Sequence, residues 1–206
     1  MPAPERPERI GIFGGTFDPP HVGHVAAARA VQGALGLDRL LLVVANDPWQ
    51  KSPHRHVTPP DERFALTEAM AEGIPGVEAS RMEIDRGGPS YSVDTAEELI
   101  DRAEAAGQPQ PELFLVIGAD LVPDLGSWER AGDLRELVTL GVVSRPASPA
   151  PDVPEGWRVI WVDGPQVDVS SSGVRDVLER GGDVGGLVPE GVVRCIRRRG
   201  LYAVNR

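Results

Sequence analysis

Between Arg9 and Arg199 short apolar runs alternate with segments of helical spacing, and this alternation limits the possible folds more than any other feature of the chain. The runs Arg9 to Phe13, Arg39 to Ala45, Val77 to Ile84, Glu112 to Ile117, Thr139 to Ser144 and Arg158 to Val162 read as strands. Helices are expected over His21 to Leu35, Asp61 to Ala71, Asp94 to about Ala106, around Trp128 to Leu137, and over Ser172 to Arg180 and Val192 to Arg199. Nearly continuous apolar strands joined through helices imply a mainly parallel sheet with helices on both faces and right-handed crossovers, a doubly wound α/β fold. Such sheets bind ligands beyond the carboxyl ends of their strands. Two proline-rich stretches, about 46–60 and 147–156, read as flexible excursions; the first carries Trp49, Lys51, His54, Arg55 and His56.

Composition narrows the function classes. A chain of 206 residues, 41% apolar and 25% charged, suits one domain with a real core. It has no apolar run of about 18 residues and no charged-then-apolar leader, so neither a membrane span nor a secretory signal is expected. A single cysteine, Cys195, excludes an internal disulfide and fits a reducing cytoplasm. The formal charge of −10 argues against general nucleic-acid binding, so any phosphate ligand must meet a local positive patch. Arg197 to Arg199 form one such patch, but cations at a helix end also complement the helix dipole, and that structural reading is preferred. Of the 21 basic residues only Lys51 is a lysine, a mobile point charge where the rest are planar guanidinium groups.

The chemistry concentrates in Gly14-Gly15-Thr16-Phe17-Asp18-Pro19-Pro20-His21-Val22-Gly23-His24. Gly14 and Gly15 follow the first strand and lack a Cβ, so the chain is expected to turn there and bring its N–H groups against a phosphate. Asp18 and the prolines are helix-start signals. His21 and His24 then lie at i and i+3, on one face of a helix whose amino end favours an anion. Zinc is the other use of paired histidines, but a structural site takes about four ligands and Cys195 is far away in sequence.

Three further segments have both a plain and a functional reading. Ser170, Ser171 and Ser172 precede a helix with Arg175, a simple N-cap or a second anion site. Asp120 after Gly118 is a cap or an acceptor for ribose hydroxyls. Trp128 is core or a stacking platform.

The first segment resembles the (H/T)xGH signature of the nucleotidyltransferase superfamily. Ser90-Tyr91-Ser92-Val93-Asp94-Thr95, Gly118-Ala119-Asp120, Trp128 and Val169-Ser170-Ser171-Ser172-Gly173-Val174-Arg175 extend the likeness nearly end to end, the last resembling the motif ISSTxIR. Together they resemble the bacterial nicotinate mononucleotide adenylyltransferases. The resemblance implies a single Rossmann-like nucleotidyltransferase domain over 1–206. Its reaction would be transfer of AMP from ATP to nicotinate mononucleotide, with magnesium accompanying ATP and no nucleic-acid or membrane partner; a homo-oligomer stays open. It implies ATP contacts from Gly14, Gly15, Thr16, Phe17, His21, His24, Asp120, Ser170, Ser171 and Arg175. It implies acceptor contacts from Lys51, Tyr91, Ser92 and Trp128, and catalytic roles for His21, His24, Lys51 and Arg175. No protein metal ligand is implied. Ser92 and Ser172 stand where the family usually has threonine, and the family's basic loop aligns with Lys51 or with Pro53-His54-Arg55, of which Lys51 is taken.

Overall fold

The computed structural model describes residues 6–48, 57–144, 150–164 and 166–202. Among them are six strands: β1 (Arg9–Gly15), β2 (Arg39–Val44), β3 (Val77–Ser80), β4 (Glu112–Gly118), β5 (Val138–Ser144) and β6 (Val159–Asp163). They form one sheet in the order β3-β2-β1-β4-β5-β6, every pairing parallel. Helices α1 (Val22–Leu35), α2 (Pro60–Ala71), α3 (Met82–Arg86), α4 (Ser92–Ala105), α5 (Ala131–Leu137), α6 (Ser171–Glu179) and α7 (Glu190–Arg199) connect and follow them. This is the doubly wound, Rossmann-like α/β architecture expected from the alternation of elements.

The strand β2 shows why both faces are covered. Successive side chains of a strand point to opposite faces. Leu40, Leu42 and Val44 join a core cluster with Val31 of α1, Leu66 and Met70 of α2, and Val192 and Ile196 of α7. Leu41 and Val43 join a second cluster with Val93, Ala96 and Leu99 of α4 and Leu134 of α5. A strand buried on both sides needs apolar residues at every position, hence Leu-Leu-Leu-Val-Val.

Strand order reverses at β1, which has β2 on one side and β4 on the other. The connections leaving β1 and β4 therefore run to opposite sides, opening a crevice at their carboxyl ends.

Two expectations need correcting. The strand from Val77 ends at Ser80 rather than running to Ile84, and Met82–Arg86 is helical. The Ser80 hydroxyl accepts the Met82 N–H (3.4 Å), a local turn bond that competes with extended backbone. The helix expected around Trp128 begins at Ala131; before it, Ala119–Ser127 form a 3₁₀ segment with Val122 and Leu125 buried. Pro123 lies inside that segment, and its missing N–H disfavours an α-helical ladder there.

Candidate active site

The first motif leaves the sheet at the crevice. Gly14 and Gly15 remain extended and pair with Val43 and Val44, so the turn expected at the glycines comes later, at Phe17 with φ 50°. Gly15 is needed for space: a Cβ there would meet the Phe17 ring at 2.8 Å. The Asp18–Pro19 peptide is cis, and His21 is the N-cap of α1.

The two imidazoles stack with centroids 3.8 Å apart and planes inclined by 34°. His24 Nδ1 accepts the backbone N–H of His21 (3.1 Å), which leaves its ring proton on Nε2. Phe17, 2% exposed, sets its ring edge-on to His24 at 5.0 Å and supports it from behind. Burial pushes the His21 imidazole down to about 4, so near neutrality it is uncharged. A Cβ on Gly23 would lie 2.9 Å from His21 Nδ1. The glycine of His-Val-Gly-His thus lets the first ring fold over the start of the helix.

The Ser170 hydroxyl caps α6 by accepting from Gly173 N–H (3.1 Å), as its plain reading expected. Ser171 Oγ donates to Pro19 O (2.9 Å), and Arg175 Nη1 donates to Asp18 O. The serine segment 170–172 with Arg175 and the first motif are therefore one unit, although more than 150 residues apart.

Beneath this unit lies a network that the sequence reading missed. Arg63 is 1% exposed, and its guanidinium donates to the carbonyls of Thr58 (2.7 Å), Thr16 (2.9 Å) and Asn46 (3.2 Å). Burial pulls Arg63 below its usual range, while the charge of nearby Asp18 opposes that. The Tyr202 hydroxyl donates to Asp18 Oδ1 (2.8 Å), and burial raises the Tyr202 hydroxyl well above the ordinary phenol range. A signal did exist: Arg63 shares the helical face of Leu66, Thr67 and Met70, all buried.

Two cavities open on the crevice. One, of about 450 Å³, holds Gly14, Gly15, Thr16, Tyr91, Ser92 and Trp128. The other, of about 670 Å³, holds His21, Gly23, Ala119, Ser144, Gly164 and Val169. Phe13, His24, Ile117, Gly118 and Asp120 line both, so His24 stands where the two meet. Asp120 folds back over Gly118, where a Cβ would come within 2.3 Å of its Oδ1. The first turn of α4, whose N–H groups have no partner within the helix, opens on the smaller cavity at Tyr91 and Ser92.

The structure thus brings Gly14, Gly15, Thr16, His21, His24, Tyr91, Ser92, Asp120 and Trp128 to one crevice. Phe17, Ser170, Ser171 and Arg175 line neither cavity but brace its walls; Lys51 lies outside the described residues. Another cavity, at the amino ends of the strands, is lined by Arg6, Asp38, Arg39 and Glu78, which already pair with one another.

Comparison with known proteins bears on this crevice. Residues 12–177 match the cytidylyltransferase-like family model. A protein of Saccharopolyspora erythraea described as a "Probable nicotinate-nucleotide adenylyltransferase" is 39% identical over 199 residues, 96% of this chain and 91% of its own. A protein of Thermus thermophilus with the same description is 41% identical over 194 residues, 94% of this chain and 99% of its own. The chain belongs to the nicotinate-nucleotide adenylyltransferase family. Among solved structures, the Plasmodium falciparum nicotinic acid mononucleotide adenylyltransferase complexed with NaAD shares the fold. Its TM-score is 0.73 at 17% identity, with 95% of this chain and 97% of that one covered. The region matched by the family model runs from within β1 to within α6, so it contains the described lining of both cavities together with Ser170, Ser171 and Arg175.

Proposed function

We propose that this chain transfers AMP from ATP to nicotinate mononucleotide, giving nicotinate adenine dinucleotide and pyrophosphate, a step of NAD biosynthesis. The observation that carries the reading is the pair of cavities meeting at His24, because an adenylyl transfer needs two substrates held end to end. The larger cavity suits the adenosine of ATP. The smaller suits a pyridine ring, with Trp128 for stacking and the amino end of α4 for a carboxylate.

In this mechanism a 5′-phosphate oxygen of the mononucleotide forms a bond to the α-phosphorus of ATP. The bond from that phosphorus to the oxygen bridging the α- and β-phosphates breaks, and pyrophosphate leaves. The attacking oxygen is already anionic near neutral pH, so no general base and no covalent enzyme intermediate are needed. The protein's work is alignment and charge. His24 Nε2–H donates a hydrogen bond to phosphate oxygens as charge builds, its direction fixed by the bond that Nδ1 accepts. His21 is neutral and contributes an N–H rather than a charge. Gly14, Gly15 and Thr16 line the path of the phosphates, and Asp120 takes ribose hydroxyls. Ser170, Ser171 and Arg175 shape the path of the leaving phosphates indirectly, through their bonds to the start of α6, Pro19 and Asp18, and Lys51 supplies a cation.

Among the described residues no three His, Cys, Asp or Glu side chains gather as a metal site. In the proposed reaction magnesium would be carried on phosphate oxygens and water, where it would neutralise the triphosphate. Among the described residues no helix is long and apolar enough to cross a membrane.

The test is pyrophosphate release. With ATP and magnesium it is expected to require nicotinate mononucleotide, with little release on pantetheine phosphate or when CTP replaces ATP. Efficient turnover of either substitute, or tight ATP binding without product, would overturn the reading. Comparing kcat/KM on the nicotinate and nicotinamide mononucleotides tests the use of the α4 amino end for a carboxylate.

A further inference from the structure

The smaller cavity has an unusual charge balance. Its described lining includes Glu83, Asp120 and Glu129, with no Arg or Lys among them. Glu83 is the buried member, at 7% exposure. Its donors are arranged in series. Arg86 Nη2 donates to Thr95 Oγ1 (3.1 Å), whose hydroxyl donates to Glu83 Oε1 (2.9 Å). Asn46 N–H donates to Ser90 Oγ (2.8 Å), and the Ser90 hydroxyl in turn bonds Glu83. Two hydroxyls, each polarised by a donor behind it, therefore fix a carboxylate in the wall of the cavity that also contains Trp128.

A buried carboxylate held only for folding could be replaced, together with its polar partners, by apolar side chains at little cost, since the desolvation penalty of the set is large. Two hydroxyls, one backed by an Arg86 that also pairs with Glu98, keep this carboxylate in a ligand cavity, and that points to a ligand that needs a negative neighbour. The acceptor in the proposed reaction has one such part, its pyridinium ring, which carries a positive charge that Trp128 alone would meet only weakly.

Resting on that reading, we propose that Glu83 is the counter-charge for the acceptor's cationic ring and makes the site select the oxidised pyridinium mononucleotide over its 1,4-dihydro form. The two forms are nearly isosteric and differ by one unit of ring charge. Packing and hydrogen bonding treat them alike; a fixed carboxylate does not. Burial raises Glu83 above the ordinary carboxylate range, while Ser90, Thr95 and Arg86 act to keep it ionised. A cation in the cavity reinforces them.

The experiment compares kcat/KM on nicotinate mononucleotide and on its 1,4-dihydro form, for the wild-type enzyme and for E83Q, with KM for ATP and Tm as controls. The wild type is expected to favour the oxidised ring by about tenfold or more, the effect of one charge pair at intermediate dielectric. In E83Q that ratio should contract toward unity through a rise in KM for the oxidised ring, with KM for ATP unchanged. A ratio unchanged in E83Q overturns the proposal, as does equal loss on both rings, which would mark a purely structural carboxylate. Should E83Q not fold, the wild-type ratio decides, because a wild type that treats both rings alike overturns it unaided. Turnover of the oxidised substrate by the wild type is measured in the same assay, so failure of the reaction itself is seen separately.

Discussion

The proposed role of His24 rests on three contacts with one ring: the His21 N–H at Nδ1, the stacked His21 imidazole, and the edge of Phe17 behind. Removing the ring in His24→Ala is expected to lower kcat by about 10²-fold or more, the scale of one preorganised donor. Near-normal turnover would exclude it from the transition state. Gly23→Ala tests the same geometry from the other side. The methyl would press on His21 Nδ1, so kcat should fall, by about tenfold for a small misplacement of a catalytic ring, while α1 itself gains helix propensity and Tm holds or rises. His21 contributes to the acid limb of stability. Its imidazole sits near 4 in the folded protein against 6.5 for the exposed group, so the unfolded chain takes up the proton first. The stability it protects is complete above about pH 6.5 and drains as pH falls toward 4. Tm of the wild type should therefore drop more steeply than that of His21→Asn between pH 7 and 4.5; parallel curves would mean a solvated ring. At this scale the histidines were legible because they stand three apart next to a strand. The partnership of Asp18 with Tyr202 was not, because 184 residues separate them and neither is unusual alone.

The helices add a different kind of control. The carbonyls bonded by Arg63 of α2 belong to the exits of β1 and β2 and to the segment entering α2 itself, so one fork ties three chain segments. Arg63→Ala leaves those carbonyls without their donor and takes a buried positive charge away from Asp18, and is expected to cost about 3–5 kcal/mol, read by denaturant unfolding. Arg63→Lys should recover only part of that, since a single ammonium cannot span the same three acceptors. A full recovery would show that charge alone matters there. Most elements were readable from periodicity, β2 best of all because every position in it after Arg39 is buried. The failures share a cause: at Ser80 and at Pro123 a local hydrogen-bond choice overrides the hydrophobic pattern, and a reading by pattern does not see it. Glu83 was hidden for the same reason, since the stretch around it looked like a strand.

At the scale of the whole chain, a formal charge of −10 must coexist with a highly anionic substrate. Raising ionic strength from about 0.01 M to about 0.15 M shortens the screening distance from about 30 to about 8 Å. With magnesium fixed, kcat/KM for ATP is expected to rise about two- to threefold over that interval as long-range repulsion is screened. A fall instead would mean that a basic field at the mouth of the crevice governs the encounter. The mainly parallel sheet with helices on both faces followed from the alternation of elements; the strand order with its reversal at β1 and the two-chambered crevice did not, because strand order is set by tertiary pairing and the common wall draws on β1, α1 and β4 together. That common wall has a cost at the end of each turnover. The dinucleotide made across it occupies both chambers at once, so it must depart as one long body anchored at either end. It should consequently inhibit competitively against ATP and against the mononucleotide alike, and its escape is the natural bottleneck when product accumulates.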